Sequence, residues 1–361
     1  MLRKSTANLP LHGGNAPPWL FQRMEKLAGS IIELIVLEFG SVEMLRRLAD
    51  PHWFQAFGCV LGFDWHSSGL TTVTCGAIKQ AYRRIGPDLG IHAAGGKGGV
   101  SRKTPHEIDQ IADARAIANG RDLIYASKLS AKVDSAAVQD GYQLYHHSFF
   151  FDDAGRWTVV QQGMNDENRY ARRYHWFADQ PIDFVNEPHA GIITEAQGNN
   201  VLNMVASEAD RSRQAAVDLF GYDPEKILAE LPAEENLFMP RRHEVILTPS
   251  EHRQLRKVLI AARDAPVTSY QQLLATPDVG PKTVRSLALL SELIFDAPAS
   301  HRDPARYSFA HGGKDGYPFP VERRMYDRNI ALLEQTVQKC RINPNEKDHA
   351  LRRLQGWLKL Q

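Results

Sequence analysis

The residues of this chain most able to do chemistry are histidines gathered in short polar clusters. Asp64-Trp65-His66-Ser67-Ser68-Gly69 is one, and His146-His147 is another. His175 follows Arg172-Arg173-Tyr174, and His189 follows Glu187-Pro188. Imidazole and carboxylate groups suit Mn²⁺, Mg²⁺, Fe²⁺ or Zn²⁺, and an ion so held turns water into hydroxide beside a phosphodiester. The expected ligands are therefore Asp64, His66, His146, His147, His175 and His189, although no pair has a diagnostic spacing such as HExxH. The expected catalytic group is Asp64, His66 and His146, with Gln161 as an orienting residue. That last pairing rests on a hairpin. Tyr142–Phe151 and Arg156–Met164 are rich in aromatic and β-branched residues and flank Asp152-Asp153-Ala154-Gly155, a four-residue loop signal. Pairing Phe151 with Arg156 sets His146 opposite Gln161. A buried polar pair of this kind either serves a site or is satisfied by hydrogen bonds within the core.

Other residues suit the handling of phosphate. Ser269–Ala275 reads as a short helix, and a second helix runs through Leu287, Leu290 and Ile294. Between them lies Thr276-Pro277-Asp278-Val279-Gly280-Pro281-Lys282-Thr283-Val284. Residues 269–295 resemble the helix-hairpin-helix family, through Pro277, Val279, Gly280, Lys282 and Val284. The resemblance implies that Gly280 admits a DNA phosphate close to the backbone. The N–H groups opening the second helix, Thr283 among them, would then meet it. Lys282 would add charge and Val279 would plug the core. Asp278 stands where the family has a glycine. Contacts of this kind hold DNA without reading its sequence. In glycosylases with this hairpin a catalytic aspartate follows the lysine; Asp296 and Asp303 are the nearest candidates here, at unmatched spacings.

Two glycine-rich basic loops, Gly95–Lys103 with Lys97, Arg102 and Lys103, and Tyr307–Gly316 with His311, Gly312, Gly313 and Lys314, are further expected DNA contacts. Arg169, Arg172 and Arg173 with interleaved Tyr170, Tyr174 and Trp176 read as a helix able to stack on bases or to form an internal ion-pair network.

Elements must position these groups. Hydrophobic residues at 43% and charged residues at 24% are the composition of an ordinary globular protein. The greasiest stretch, Ile31–Phe39, is interrupted by Glu33 and Glu38 and too short for a bilayer. Three cysteines without a CxxC pair fit a reducing cytoplasmic compartment. The net charge of +1 hides an asymmetry: residues 241–361 carry 20 Lys and Arg against 13 Asp and Glu, and the rest 23 against 29. Pro17-Pro18, Asp50-Pro51, Asp223-Pro224 and the capping boxes Thr104-Pro105-His106-Glu107 and Thr248-Pro249-Ser250-Glu251 each mark a helix start. Glycine and basic residues at 95–103 read as a loop, strands are expected around Phe184 and Ile192, and a helix over Ser207–Phe220. The expected fold is α+β: mainly helical, with a central antiparallel hairpin or sheet. The expected division is a mixed α/β catalytic domain, 1–235, and a helical DNA-binding domain, 241–361.

Leu9–Gly14, Trp53–Gly69, Val160–Asn165 and Tyr307–Gly316 together resemble the prokaryotic "domain of unknown function 763" family over most of the chain, a family that implies no activity and no catalytic residues. The function expected from the residues themselves is DNA binding, with a metal-dependent nuclease in DNA repair or processing as the leading reading. A DNA glycosylase or lyase and a non-catalytic DNA-binding adaptor are the alternatives. No membrane partner is expected, and a homodimer is possible.

Overall fold

Proline and aspartate punctuate the first helices at the expected places. Helix α1, Pro18–Phe39, opens on proline and buries Met24, Leu27, Ile31, Ile32 and Ile35 on one face, the spacing of an amphipathic helix. Helix α2 spans Ser41–Ala49. Helix α3, Pro51–Val60, is capped by Asp50, whose carboxylate accepts from the His52 and Trp53 amides at 2.8 and 3.1 Å. Helix α4, Gly69–Leu89, ends at Gly90 in the left-handed region. These features come from a computed structural model that describes residues 16–63, 67–194, 201–229, 249–264, 267–305, 307–308, 331, 333–339, 343–345, 347–348 and 350–352. Asp64, His66, His311, Gly312, Gly313 and Lys314 lie outside the described residues, as does the boundary expected near 235–241.

Strand β1, Ile91–Lys97, follows, then a 3₁₀ segment, Gly98–Lys103, and helices α5, Thr104–Arg115, and α6, Gly120–Lys132. A single π-helical turn, Val133–Ala137, carries the chain into β2, Val138–Gln139. Next come β3, Gln143–Asp152, β4, Trp157–Asn165, β5, Tyr170–Ala178, β6, Gly191–Thr194, and β7, Leu202–Asn203. Helices α7, Asp210–Asp218, α8, Pro224–Ala229, α9, Pro249–Asp264, α10, Tyr270–Ala275, and α11, Pro281–Phe295, complete the helical part, and β8 is Tyr307–Ser308.

The main sheet runs β1-β3-β4-β5-β6-β8 and is antiparallel except for the parallel β6–β8 pair; β2 and β7 form a separate two-stranded ladder. The fold is α+β. Strand alternation gives the sheet two covered faces. Phe150, Val160 and Ile193 pack into a core with α1 to α4, including Trp53, Phe54 and Phe57. Phe149, Phe151, Trp157, Val159 and Trp176 pack on the other side against Leu123 and Leu129 of α6. That second core continues to Leu273, Leu274, Val279, Val284 and Leu287.

Several local expectations change. The arginine-rich stretch around 169–176 is not a helix: Tyr170–Ala178 is strand β5, because its aromatic and basic residues alternate with period two between the two cores. The 95–103 stretch is a strand end and a 3₁₀ turn rather than a loop. Thr104 and Glu107 form no capping box. The Thr104 hydroxyl donates to the Ser101 carbonyl, and Glu107 turns away to accept from Lys79 Nζ and the Gly95 amide. Phe184 sits in a turn, whereas Ile192 is in β6. The 207–220 helix is split, with 3₁₀ turns at Ser207–Ala209 and Leu219–Gly221 flanking α7.

The hairpin itself is present with a register one residue away from the expected one. The Asp152 carboxylate accepts from the Ala154 and Arg156 amides, and the Asp152 amide donates to the Arg156 carbonyl. This closes the turn on Asp152 and Arg156, so Phe151 pairs with Trp157. Every later pair moves with it. His147, not His146, stands opposite Gln161, and His146 faces Gln162.

Candidate functional site

The corrected register builds a site. His147 and Gln161 project from β3 and β4 on the same sheet face, and His147 Nδ1 lies 2.8 Å from Gln161 Oε1. The Gln161 amide group faces two acceptors, Asp134 Oδ2 at 2.6 Å and the Ser130 carbonyl at 3.3 Å. Those acceptors fix its NH₂ end toward them and its oxygen toward the histidine. His147 Nδ1 therefore carries the proton and Nε2 is bare. Ser127 of α6 donates its hydroxyl to that Nε2 across 2.9 Å. The result is a serine–imidazole–amide–carboxylate chain, with all four side chains buried.

Asp134 is the anchor. It stands on the π-helical turn and also accepts from Trp176 Nε1 at 2.9 Å and meets His189 Nε2. Such turns widen a helix by one residue and occur frequently at functional sites. Here the turn delivers a carboxylate under the sheet just after α6 has presented Ser127. Burial pushes the His147 pKa down, against the opposing pull of Gln161 and Asp134, so the ring is held neutral.

Ser127, His147 and Gln161 line a cavity of about 740 Å³. Its near wall is one face of α6, with Ser127, Lys128, Ala131 and Lys132 at helical spacing. Arg102 and Pro105 close one side, and Leu274 to Pro277, at the end of α10 and the turn after it, close another. Three cations, Arg102, Lys128 and Lys132, reach the cavity, and none of its described lining residues is a carboxylate. Arg102 and Lys128 are exposed. Lys132 is half-buried; its ammonium binds the Val279 carbonyl, and burial lowers its pKa, with Asp278 opposing.

The turn between α10 and α11 is held from below. Ser269 caps α10 through its hydroxyl, Val279 is fully buried, and Asp278 adopts a left-handed φ of 66°. Gln139 Nε2 donates to the Pro281 carbonyl at 2.8 Å. Gly280 is extended, and a Cβ built on it meets nothing within 4 Å. Nothing among the described residues requires glycine there. Thr283 is buried and Lys282 half-buried at the start of α11. Lys97 and Lys103 are exposed, beside Arg102.

The expected metal ligands do not come together among the described residues. His146 and His147 leave β3 on opposite faces, and His146 Nε2 meets the Ser148 hydroxyl at 3.0 Å. Burial, with His147 and Lys97 nearby, pushes the His146 pKa down to about 3. His175 spends both ring nitrogens, donating from Nδ1 to the Leu48 carbonyl and accepting from Arg173 at Nε2. His189 is bound to Asp134. No three described His, Cys, Asp or Glu side chains form a metal-binding group, and these bonded rings do not fit one. The two glycosylase candidates are also committed. Asp296 is the left-handed residue that ends α11, and Asp303 takes both ends of the Arg172 guanidinium at 2.8 and 3.1 Å. Arg172 also binds Asp140 at 2.8 Å, so it belongs to an internal ion-pair network. Arg173 is equally buried and bonds only neutral acceptors: His175, the Thr71 hydroxyl and the Pro51 carbonyl.

Ser127 and Asp134 carry no sequence signal that could have marked them. They lie 20 and 27 residues from the strand partners they bind, in helical segments of unremarkable composition.

Residues 5–321 match the sequence profile of the family described as protein of unknown function (DUF763). The chain belongs to the DUF763 family. The match covers the sheet, both helical layers and the turn between α10 and α11, so Ser127, Asp134, His147, Gln161 and Gly280 all fall within the DUF763 region. No curated protein and no solved structure matches this DUF763 chain. No helix among its described residues is long and apolar enough to cross a membrane.

Proposed function

We propose that the protein binds DNA through its phosphate backbone and hydrolyses phosphodiester bonds in the 740 Å³ cleft. The observation that carries this reading is the convergence on one cavity of three kinds of residue. The cations Arg102, Lys128 and Lys132 meet the turn that precedes α11 and the neutral imidazole of His147. Exposed Arg102 and Lys128, on a cleft with no carboxylate among its described lining residues, favour a polyanion. The open space beside Gly280 suits a backbone phosphate approaching the first N–H groups of α11, in the manner of a helix-hairpin-helix. Binding of this kind is blind to sequence and weakens steeply with salt. The neutral ring of His147, aimed at the cavity wall, supplies a proton acceptor within it.

The test is fluorescence anisotropy with a labelled oligonucleotide at several salt concentrations, together with cleavage of the same oligonucleotide. Gly280→Val joined with Lys282→Ala should weaken binding about tenfold or more at every sequence tested, roughly the value of one or two phosphate contacts. The extended backbone at 280 accepts valine, so folding is expected to be unchanged. Arg102→Ala with Lys128→Ala should lower the salt slope by about two. Binding that resists both double variants overturns the reading.

A further inference from the structure

The geometry points to Ser127 as a nucleophile, with His147 as its base, acting on a phosphoryl ester bound in the cleft. The inference rests on the phosphodiester reading above and goes beyond it by assigning the reaction to a covalent route. Four observations support it. The Ser127 hydroxyl donates to His147 Nε2 at 2.9 Å, the direction needed for the ring to take its proton. The other ring nitrogen is bonded to Gln161 Oε1 at 2.8 Å, which fixes the tautomer and the ring plane. Gln161 in turn is held by Asp134, so the arrangement is that of a nucleophile, a base and an orienting group, with an amide between ring and carboxylate. Both Ser127 and His147 line the cavity, one turn of helix from Ala131 and next to Lys128.

A core hydrogen bond alone would not need this placement. The hydroxyl and the ring both stand on the cavity wall, with Lys128, Lys132 and Arg102 around the same space. Those cations are suited to the charge that develops on a phosphoryl group in the transition state. Gln161 and Asp134 are positioning residues.

Ser127 Oγ attacks phosphorus while its proton passes to His147 Nε2. The bond from phosphorus to the leaving oxygen breaks, and the imidazolium returns the proton to that oxygen, releasing an alcohol. Water then attacks the phosphoserine ester, His147 takes a proton from the water, and Ser127 Oγ leaves with it as the hydroxyl. One water is consumed and no oxidant or metal enters the balance.

The experiment uses the full chain, EDTA and two probes. The first is diisopropyl fluorophosphate, read by peptide mass spectrometry; the second is bis(4-nitrophenyl) phosphate, read by release of nitrophenolate. The expected result is a single phosphoryl adduct on Ser127 and metal-independent release. Ser127→Ala should remove both, and His147→Gln should slow both about 100-fold or more, the usual contribution of a general base. Gln161→Leu should lower kcat with KM unchanged, and the circular dichroism spectrum of Ser127→Ala should match the parent. Because Ser127→Ala deletes only a hydroxyl, a second variant guards against misfolding: Ser127→Cys should keep the fold and be alkylated by iodoacetamide in a His147-dependent way. A protein that binds DNA but takes no label at Ser127 overturns the inference and leaves the binding reading standing. Label at Ser127 without DNA binding supports the nucleophile and sinks the nucleic-acid reading instead. Nitrophenolate release that survives Ser127→Ala overturns the covalent route.

Discussion

The two faces of the central sheet carry comparable runs of buried polar side chains and satisfy them in different ways. On the face toward α6, His147, Gln161, Arg172, Tyr174 and Trp176 are tied to three buried carboxylates, Asp134, Asp140 and Asp303. At the centre of the face toward α1 to α4, Arg173, His175 and Gln162 bond to neutral partners: a ring nitrogen, hydroxyls and backbone carbonyls. The consequence shows in charge. Burial lowers the Arg173 pKa to about 9, whereas two carboxylates raise that of Arg172 despite equal burial. The difference teaches where chemistry can live. A face anchored by carboxylates can orient an imidazole toward a cavity, whereas Arg173 and His175 on the other face spend their bonds within the core.

The largest expected effect that would break this comparison is in the adjacent arginines. Arg172→Met strands Asp140 and Asp303 without their cation and should cost about 3–5 kcal/mol in urea unfolding. Arg173→Met removes a cation that has only neutral partners and should cost about 1.5 kcal/mol or less, because several acceptors lose one bond each while a buried charge disappears. Equal losses in the two variants would erase the distinction between the faces. Between these lies Gly95→Ala. Gly95 has φ of +86°, and a Cβ there would stand 2.2 Å from the His147 carbonyl oxygen and 2.6 Å from Thr104 Oγ1. A loss of about 2–3 kcal/mol is expected from backbone strain plus displacement of β3. The same variant should slow any His147-dependent reaction.

The smallest effect is a pH dependence shared by both faces. His146, His147 and His175 all have pKa values lowered by burial. The unfolded chain then takes up protons below about pH 6.5 that the folded chain refuses. Stability is fully present above that value and is lost as pH falls, for His146 over the window from about 6.5 to about 3. Between pH 6.5 and 5.5 the His146 contribution falls by about 1 kcal/mol, measurable as a falling urea midpoint. His146→Gln should flatten this slope, and a slope left unchanged would place His146 in contact with water.

The features of the fold written in local chemistry were legible in the sequence. Pro18, Asp50-Pro51, Pro224 and Pro249 mark helix starts because proline fixes φ and aspartate caps amides. The hairpin was equally plain, and its register failed by one residue because the Asp152 side chain, rather than the loop length, closes the turn. Arg169–Trp176 misled because charged residues argue for a solvated helix face; Arg169 is exposed in a turn, but tertiary carboxylates and neutral acceptors bury Arg172 and Arg173 in β5. The site was half legible: Gln161 stands out as a buried polar residue in a greasy hairpin, but the expected register gave it His146 as partner and left His147 only as a metal ligand. Ser127 and Asp134 were not legible, because a hydroxyl or carboxylate in a helix gains its meaning only from the strand beneath it.

The Arg172–Asp303 clasp bears on how the chain is made. Its two residues are separated by 131 positions, and the strand that follows Asp303 is the one parallel member of the sheet among the described residues. During synthesis β5 emerges long before Asp303 does, so of the two carboxylates Arg172 first meets Asp140. The sheet can be completed only after α10 and α11 have been made. Long-range closures of this kind are slow to form. Locking of β5 and β6 is therefore expected to wait for a segment made more than 100 residues later.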